Sequence, residues 1–222
     1  HAPWLAEQNA AFYRSPAGPQ FVLFRINPIL ERFPTLNDGR LWLELMRSFH
    51  VQEDLATDLL LSRTTAQRRI ELNGMADVTT TWNQRVQLPP VSRGPIWCRV
   101  RMNQTPAGKL ATFAYKLPPL WLEVTHANQS KSYRLTASSA ESGFLISPVI
   151  SDRQQFADLL ANPDSAANVR DFRNAVVESI RFQTSDVSQH YFYEKDIEVT
   201  FEEVVVSSAG PVVGMQIRSV QH

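Results

Sequence analysis

Pro118-Pro119-Leu120-Trp121-Leu122-Glu123-Val124, followed by Ser142-Gly143-Phe144-Leu145-Ile146-Ser147-Pro148-Val149, decides the fold. Leu120, Leu122 and Val124 alternate with Trp121, Glu123 and Thr125, the period-two pattern of a strand with one buried face. The second stretch is an apolar run held between turn residues. Together they predict a β-sandwich, and no catalytic signature accompanies them.

More strands are predicted on either side: Arg68 to Leu72, Arg85 to Leu88, Ile96 to Met102, Ser132 to Leu135, Val177 to Gln183 and Ile197 to Val206. Turn signals at Asn73-Gly74, Pro89-Pro90, Arg93-Gly94-Pro95 and Pro106-Ala107-Gly108 separate them. Such spacing predicts a jelly-roll-like antiparallel β-sandwich, resembling a carbohydrate-binding module, over residues 67–222. One helix interrupts it, capped by Ser151 or Asp152, burying Phe156, Leu159 and Leu160 and ending at Asn162-Pro163.

Residues 1–66 read differently. Trp4, Leu5 and Phe12 predict a short amphipathic helix stopped by Pro16. Phe21 to Ile26 is a near-continuous apolar strand, and Asp38 is placed to cap a helix through Phe49 that carries Leu41, Trp42, Leu45 and Met46 on one face. Leu59-Leu60-Leu61 completes a strand, helix, strand order, so a small βαβ-like α/β unit is expected. The fold class is therefore α+β, with this unit followed by the sandwich.

Composition excludes several functions. Lys plus Arg equals Asp plus Glu at 22 each, which argues against a general nucleic-acid binder, although a local basic patch is compatible with it. No apolar run is long enough to span a bilayer as a helix. Cys98, the single cysteine, alternates with Ile96, Val100 and Met102 and reads as a core residue. The five histidines have no zinc-ligand spacing, no Asp-rich loop suggests calcium, and neither a nucleophile elbow nor a phosphate-binding glycine loop is present. No metal, cofactor or catalytic residue is expected. The start, His1-Ala2-Pro3 without Met, is expected of a processed or excised chain.

Several blocks resemble a soluble region of bacterial multi-spanning membrane proteins that look like glycosyltransferases using lipid-linked sugar donors. They are Asn9-Ala10-Ala11-Phe12, Phe21-Val22-Leu23-Phe24 leading to Asn27-Pro28-Ile29, Arg32-Phe33-Pro34, Asp38-Gly39, Leu45-Met46-Arg47 and Leu59-Leu60-Leu61-Ser62-Arg63. Lys116 to Leu120, Ser142 to Pro148 and Val169-Arg170-Asp171-Phe172 match the tail of the same region. The resemblance covers most of the chain but rests on strands, prolines and caps. It implies a non-catalytic, extracytoplasmic domain, periplasmic or at the cell surface, tethered through membrane helices of a longer parent. Catalytic acids of such proteins would lie upstream, so none is carried over. The implied partner is a glycan or lipid-linked sugar, and the implied role is to bind it or to stabilise the parent.

A sugar site needs an aromatic face flanked by planar polar groups. Trp97 alternates with Arg99 and Arg101, and Trp121 with Glu123. If the two strands are neighbours, Trp97, Arg99, Trp121 and Glu123 form one patch; the competing reading buries the tryptophans beneath the helix or against the first unit. His190-Tyr191-Phe192-Tyr193-Glu194-Lys195 is a second candidate, with Tyr191 and Tyr193 as glycan contacts. Arg68-Arg69 and Arg99 with Arg101 are candidates for anionic headgroups, though acids balance them. Two alternatives accompany the leading reading. One is an independent secreted lectin-like protein. The other is a glycoside hydrolase using two of Glu123, Asp152, Glu198 and Glu202, which requires carboxyl groups facing each other across one cleft.

Overall fold

The structure is a computed structural model describing residues 3–27, 29–90, 93–114, 117–163, 170–185 and 191–207. His190 and Val169, each part of a block singled out above, lie outside the described residues.

In chain order the elements are helix α1 (Pro3–Arg14), strand β1 (Phe21–Phe24), helix α2 (Gly39–Ser48), strands β2 (Phe49–Leu55), β3 (Asp58–Arg63), β4 (Arg69–Thr81), β5 (Arg85–Gln87) and β6 (Ile96–Gln104). Helix α3 (Pro106–Ala114) precedes β7 (Leu120–His126) and β8 (Gln129–Leu135); helix α4 (Ala137–Ser142), β9 (Phe144–Ser147), helix α5 (Arg153–Ala161), β10 (Val177–Gln183) and β11 (Tyr193–Ser207) follow. A single 3-10 turn occupies Ile29–Glu31, and a longer 3-10 segment Arg170–Ala175.

The strands form three antiparallel sheets: sheet I, β1-β3-β2; sheet II, β5-β10-β7-β8; and sheet III, β4-β11-β6-β9. Sheets II and III divide all strands from β4 onward between them, and the inner faces of both supply one contiguous apolar core. Leu122, Val124, Ile180 and Phe182 enter it from sheet II, and Cys98, Val100, Val199 and Phe201 from sheet III. The mixed fold with its β-sandwich agrees with the expected class.

The expected βαβ-like unit is corrected. β1 runs antiparallel to β3, with Phe21 opposite Ser62 and Phe24 opposite Leu59. The polar-looking Phe49 to Leu55 is itself a strand, in a hairpin with β3. A βαβ crossover joins parallel strands, which this connectivity does not contain. β1 is also an edge strand: Val22 and Phe24 turn inward, while Phe21 and Leu23 are exposed. Phe24 meets Trp42 of α2 and Phe156 of α5 at ring distances of 5.3 and 4.5 Å. The core is continuous across residue 66, since Phe33, Trp42 and Leu61 share it with the sandwich strands.

Helix α1 forms where expected but turns the other way, with Trp4, Leu5 and Phe12 exposed and Ala10 buried. It is attached by Arg14, whose guanidinium pairs with Glu44 of α2, and by an Arg40–Glu7 pair at 3.2 Å. Asp38 precedes α2 in the left-handed region (φ 51°) and makes no side-chain cap; Asp152 caps α5 as expected, accepting from the Gln155 amide at 2.9 Å.

Two turn signals have other uses. Asn73-Gly74 lies within β4 and not at its end: opposite it the register jumps between Phe201 and Glu202, a β-bulge that accommodates the glycine without breaking the ladder. Pro106-Ala107-Gly108 opens α3, where the Thr105 hydroxyl accepts from the Gly108 amide at 3.0 Å and Pro106 needs no N–H partner.

Candidate functional site

In antiparallel and parallel pairs alike, residues directly opposite each other share a face of the sheet. On the outer face of sheet II, Trp121 of β7 is opposite Gln183 of β10 on one side and Arg134 of β8 on the other. Arg32, from the segment after the first 3-10 turn, bridges in parallel to Arg134 and extends the row past the edge strand. The row therefore reads Arg32, Arg134, Trp121, Gln183, all half-buried. Beside it runs a second row of Ser132, Glu123, Arg181 and Arg85.

Period-two alternation produces this face. Leu120, Leu122 and Val124 go to the core, which forces Trp121 and Glu123 outward. Glu123 is clamped by Arg181, whose Nη2 donates to both carboxylate oxygens at 2.7 and 2.6 Å, and Gln183 Nε2 donates to the same carboxylate at 3.4 Å. The clamp fixes planar donors and an acceptor next to the indole. An aromatic ring with planar hydrogen-bonding groups alongside is the chemistry expected of a sugar-recognition surface.

The remaining expected site residues separate. β6 belongs to sheet III and β7 to sheet II, so Trp97 and Arg99 are not neighbours of Trp121 and Glu123. Trp97 is buried, at 1% exposure, against Gly143 at the end of α4. The competing reading, a tryptophan beneath a helix, describes it. Arg99 pairs with Glu202 at 3.1 Å. Tyr191 is exposed, and its carbonyl accepts from the Thr105 hydroxyl. Tyr193 is buried against Trp82, with ring centroids 5.7 Å apart, and burial raises its phenol pKa. It nevertheless reaches the cleft beside Arg32 and Arg134.

The expected pairing of carboxylates is not assembled. Glu123 is bound to Arg181, Asp152 caps α5, Glu202 pairs with Arg99 and Glu198 with Arg101. Glu123 lies on sheet II and Asp152 at α5, while Glu198 and Glu202 share the outer face of sheet III, each held by its own arginine. Among the described residues no group of three metal-ligating side chains comes together, and no helix is long and apolar enough to cross a membrane.

Sequence reasoning missed Arg32 and Arg134. Nothing local marks them, because their pairing is made by a bridge between distant segments. The arginines expected to meet anionic headgroups are occupied: Arg69 pairs with Glu71, Arg99 with Glu202 and Arg101 with Glu198, and Arg68 Nη1 donates to the Met46 carbonyl.

Another cleft, of about 440 Å³ between β8 and the start of α5, contains His126, Lys131 and Tyr133. Its groups are already engaged: Lys131 Nζ sits 5.1 Å over the Tyr133 ring, and His126 Nδ1 lies 2.9 Å from the Asn174 carbonyl. Compared with protein-family models, with curated proteins and with solved structures, the chain matches none.

Proposed function

We propose that this chain is a non-catalytic glycan-recognition module, with the outer face of sheet II as its binding surface. The carrying observation is Trp121 set in a row with Gln183 and beside the Glu123–Arg181 clamp, on a half-buried face. A ring of this kind covers the apolar face of a sugar while the clamp and the amide meet its hydroxyls. The jelly-roll reading is supported by the strand orders β4-β11-β6-β9 and β5-β10-β7-β8, in which the chain crosses between the two antiparallel sheets at every step except β7 to β8, as in two Greek keys.

The wider setting follows from the sequence resemblance alone. In this proposal the module is the extracytoplasmic part of a membrane-bound glycosyltransferase-like protein, and it holds a glycan or lipid-linked sugar for the parent. An independent secreted lectin would use the same surface.

The test is a broad glycan array with the purified chain, its folding followed by circular dichroism. Binding is expected, and Trp121→Ala is expected to weaken it by at least about tenfold, the loss of one stacking ring. Trp97→Ala tests the fold instead, because that indole is in the core. Silence from a folded sample, or binding indifferent to Trp121, overturns the reading.

A further inference from the structure

Arg32 and Arg134 face each other across a parallel bridge, so two guanidinium groups share one side of the sheet edge. Like charges placed opposite each other are destabilising unless an anion lies between them. Several other arginines are neutralised by carboxylates, among them Arg14, Arg25, Arg99, Arg101, Arg153 and Arg181. Among the described residues neither Arg32 nor Arg134 is. Arg32 Nη1 donates to Asn37 Oδ1 at 2.9 Å, which orients the fork, while Arg32 Nε is buried with no acceptor. That leaves two cations without a carboxylate partner, Arg32 oriented by Asn37.

The pair lines a cleft of about 390 Å³, within the range of small-ligand sites. Its other wall is apolar: Leu30, Leu117, Pro118 and Pro119. Leu30 is exposed by 63% and held at φ 54°, with Glu31 following at φ 59°. A leucine in the left-handed region costs free energy, and an exposed one recovers none of it by packing. Strained residues of this sort concentrate at ligand sites, where the strain holds a side chain in place. Here it sets an aliphatic side chain in the lining of a cleft that also holds Arg32 and Arg134, neither paired with a carboxylate.

We infer that this cleft binds a phosphate ester carried on an apolar chain. The guanidinium forks take the phosphate oxygens, for which their planar donors are suited, and the chain lies along Leu30, Leu117 and the two prolines. The inference goes beyond the glycan reading and needs no sugar. A membrane phospholipid and a soluble alkyl phosphate present the same chemistry.

Titration calorimetry with monododecyl phosphate below its micellar concentration tests the site, with inorganic phosphate and dodecyltrimethylammonium as comparisons. Dodecyl phosphate is expected to bind at least about tenfold more tightly than inorganic phosphate, and the ammonium amphiphile not to bind. The double variant Arg32→Gln/Arg134→Gln is expected to lose at least about tenfold in affinity. Leu30→Asn, which suits a left-handed backbone and so retains the fold, is expected to lose the advantage of the alkyl ester over inorganic phosphate. Equal binding of the ammonium amphiphile, or unchanged affinity in these variants, overturns the inference. Sedimentation with phosphatidylcholine vesicles, with and without phosphatidic acid, then separates the sources. Recruitment dependent on phosphatidic acid and on both arginines assigns a bilayer lipid; binding of the free ester without recruitment assigns a soluble one. Because no sugar is present, a failure here leaves the Trp121 test standing, and the reverse also holds.

Discussion

A Cβ placed on Gly143 would lie 2.3 Å from Nε1 of Trp97 and 2.5 Å from its Cε2. The indole occupies the space that any other residue at 143 would need. Gly143 ends α4 at φ 90° and ψ 156°, a backbone region that glycine alone adopts freely. Contact and conformation thus make the same demand, and α4 is held down on Trp97 of sheet III.

Gly143→Ala is therefore expected to destabilise the chain by about 2–4 kcal/mol, combining overpacking with backbone strain. Urea unfolding measures it. A loss below about 1 kcal/mol would mean that α4 shifts without cost.

This contact also shows what the sequence could and could not reveal. Alternation places Trp97, Arg99 and Arg101 on one side of β6 correctly, because a strand has a strict period of two. It does not say what lies above that side. A short serine-rich segment, Ala137–Ser142, folds as α4 over one end and buries Trp97, while Arg99 and Arg101 beyond it reach Glu202 and Glu198. Trp121 has the same local pattern and stays half-buried on its face.

Other differences have equally local causes. Val177 to Gln183 is legible as a strand because Ile180 and Phe182 alternate with Arg181 and Gln183, while a bulge between Val177 and Ser179 lets Val177 be buried as well. The first strand, Phe21–Phe24, is apolar throughout, yet an edge position leaves Phe21 and Leu23 outside. The Arg32–Arg134 bridge is set by the approach of two chain segments, and no periodicity within either segment encodes it.

Cys98 is fully buried between Phe201 of β11 and Phe144 of β9, its partners on the two neighbouring strands, and burial, with the charge of Glu202 as a lesser cause, pushes its thiol pKa up strongly. The thiolate is the reactive form, so the folded protein is expected to resist an aromatic disulfide reagent. Modification should appear only as denaturant populates open states, tracking global unfolding. Rapid labelling under native conditions would show that β6 opens locally.

Asp58 supplies a pH dependence. Arg25 donates to both of its carboxylate oxygens, Nε at 2.8 Å and Nη2 at 2.6 Å, and Thr57 donates as well. These bonds hold the carboxyl at about 2, below the ordinary 3.8. A folded value below the unfolded one makes the native state bind fewer protons, so this contribution is complete above 3.8 and is lost as pH falls toward about 2. The pair is exposed, so the effect is small and screened by salt. Asp58→Asn should remove it: the stability difference between the two proteins is expected to narrow across that interval and to be flat above it. Parallel curves would show that the ion pair contributes nothing to folding.

Arg63 ties the first helix to the first sheet, and its replacement is the sharpest test of how that end of the molecule is held. The side chain leaves β3 and donates Nε to the Pro19 carbonyl at 3.1 Å, Nη1 to the Ser15 carbonyl at 3.0 Å, and Nη2 to the Tyr13 carbonyl. Tyr13 and Ser15 bracket the end of α1, where unpaired carbonyls concentrate negative charge, so one cation serves both the orphan acceptors and the helix dipole. The guanidinium also lies 5.5 Å from the Phe49 ring centroid. Lysine keeps the charge but not the fork, and its single nitrogen cannot reach three carbonyls held apart by a planar group. Arg63→Lys is expected to cost about 1–3 kcal/mol, nearly as much as Arg63→Ala, because geometry and not charge carries the contact. Hydrogen exchange should show the loss first at α1 and the chain leading into β1, with the amides of sheets II and III keeping their protection. If lysine were to retain full stability, charge alone would account for the attachment, and raised salt would then weaken both proteins equally.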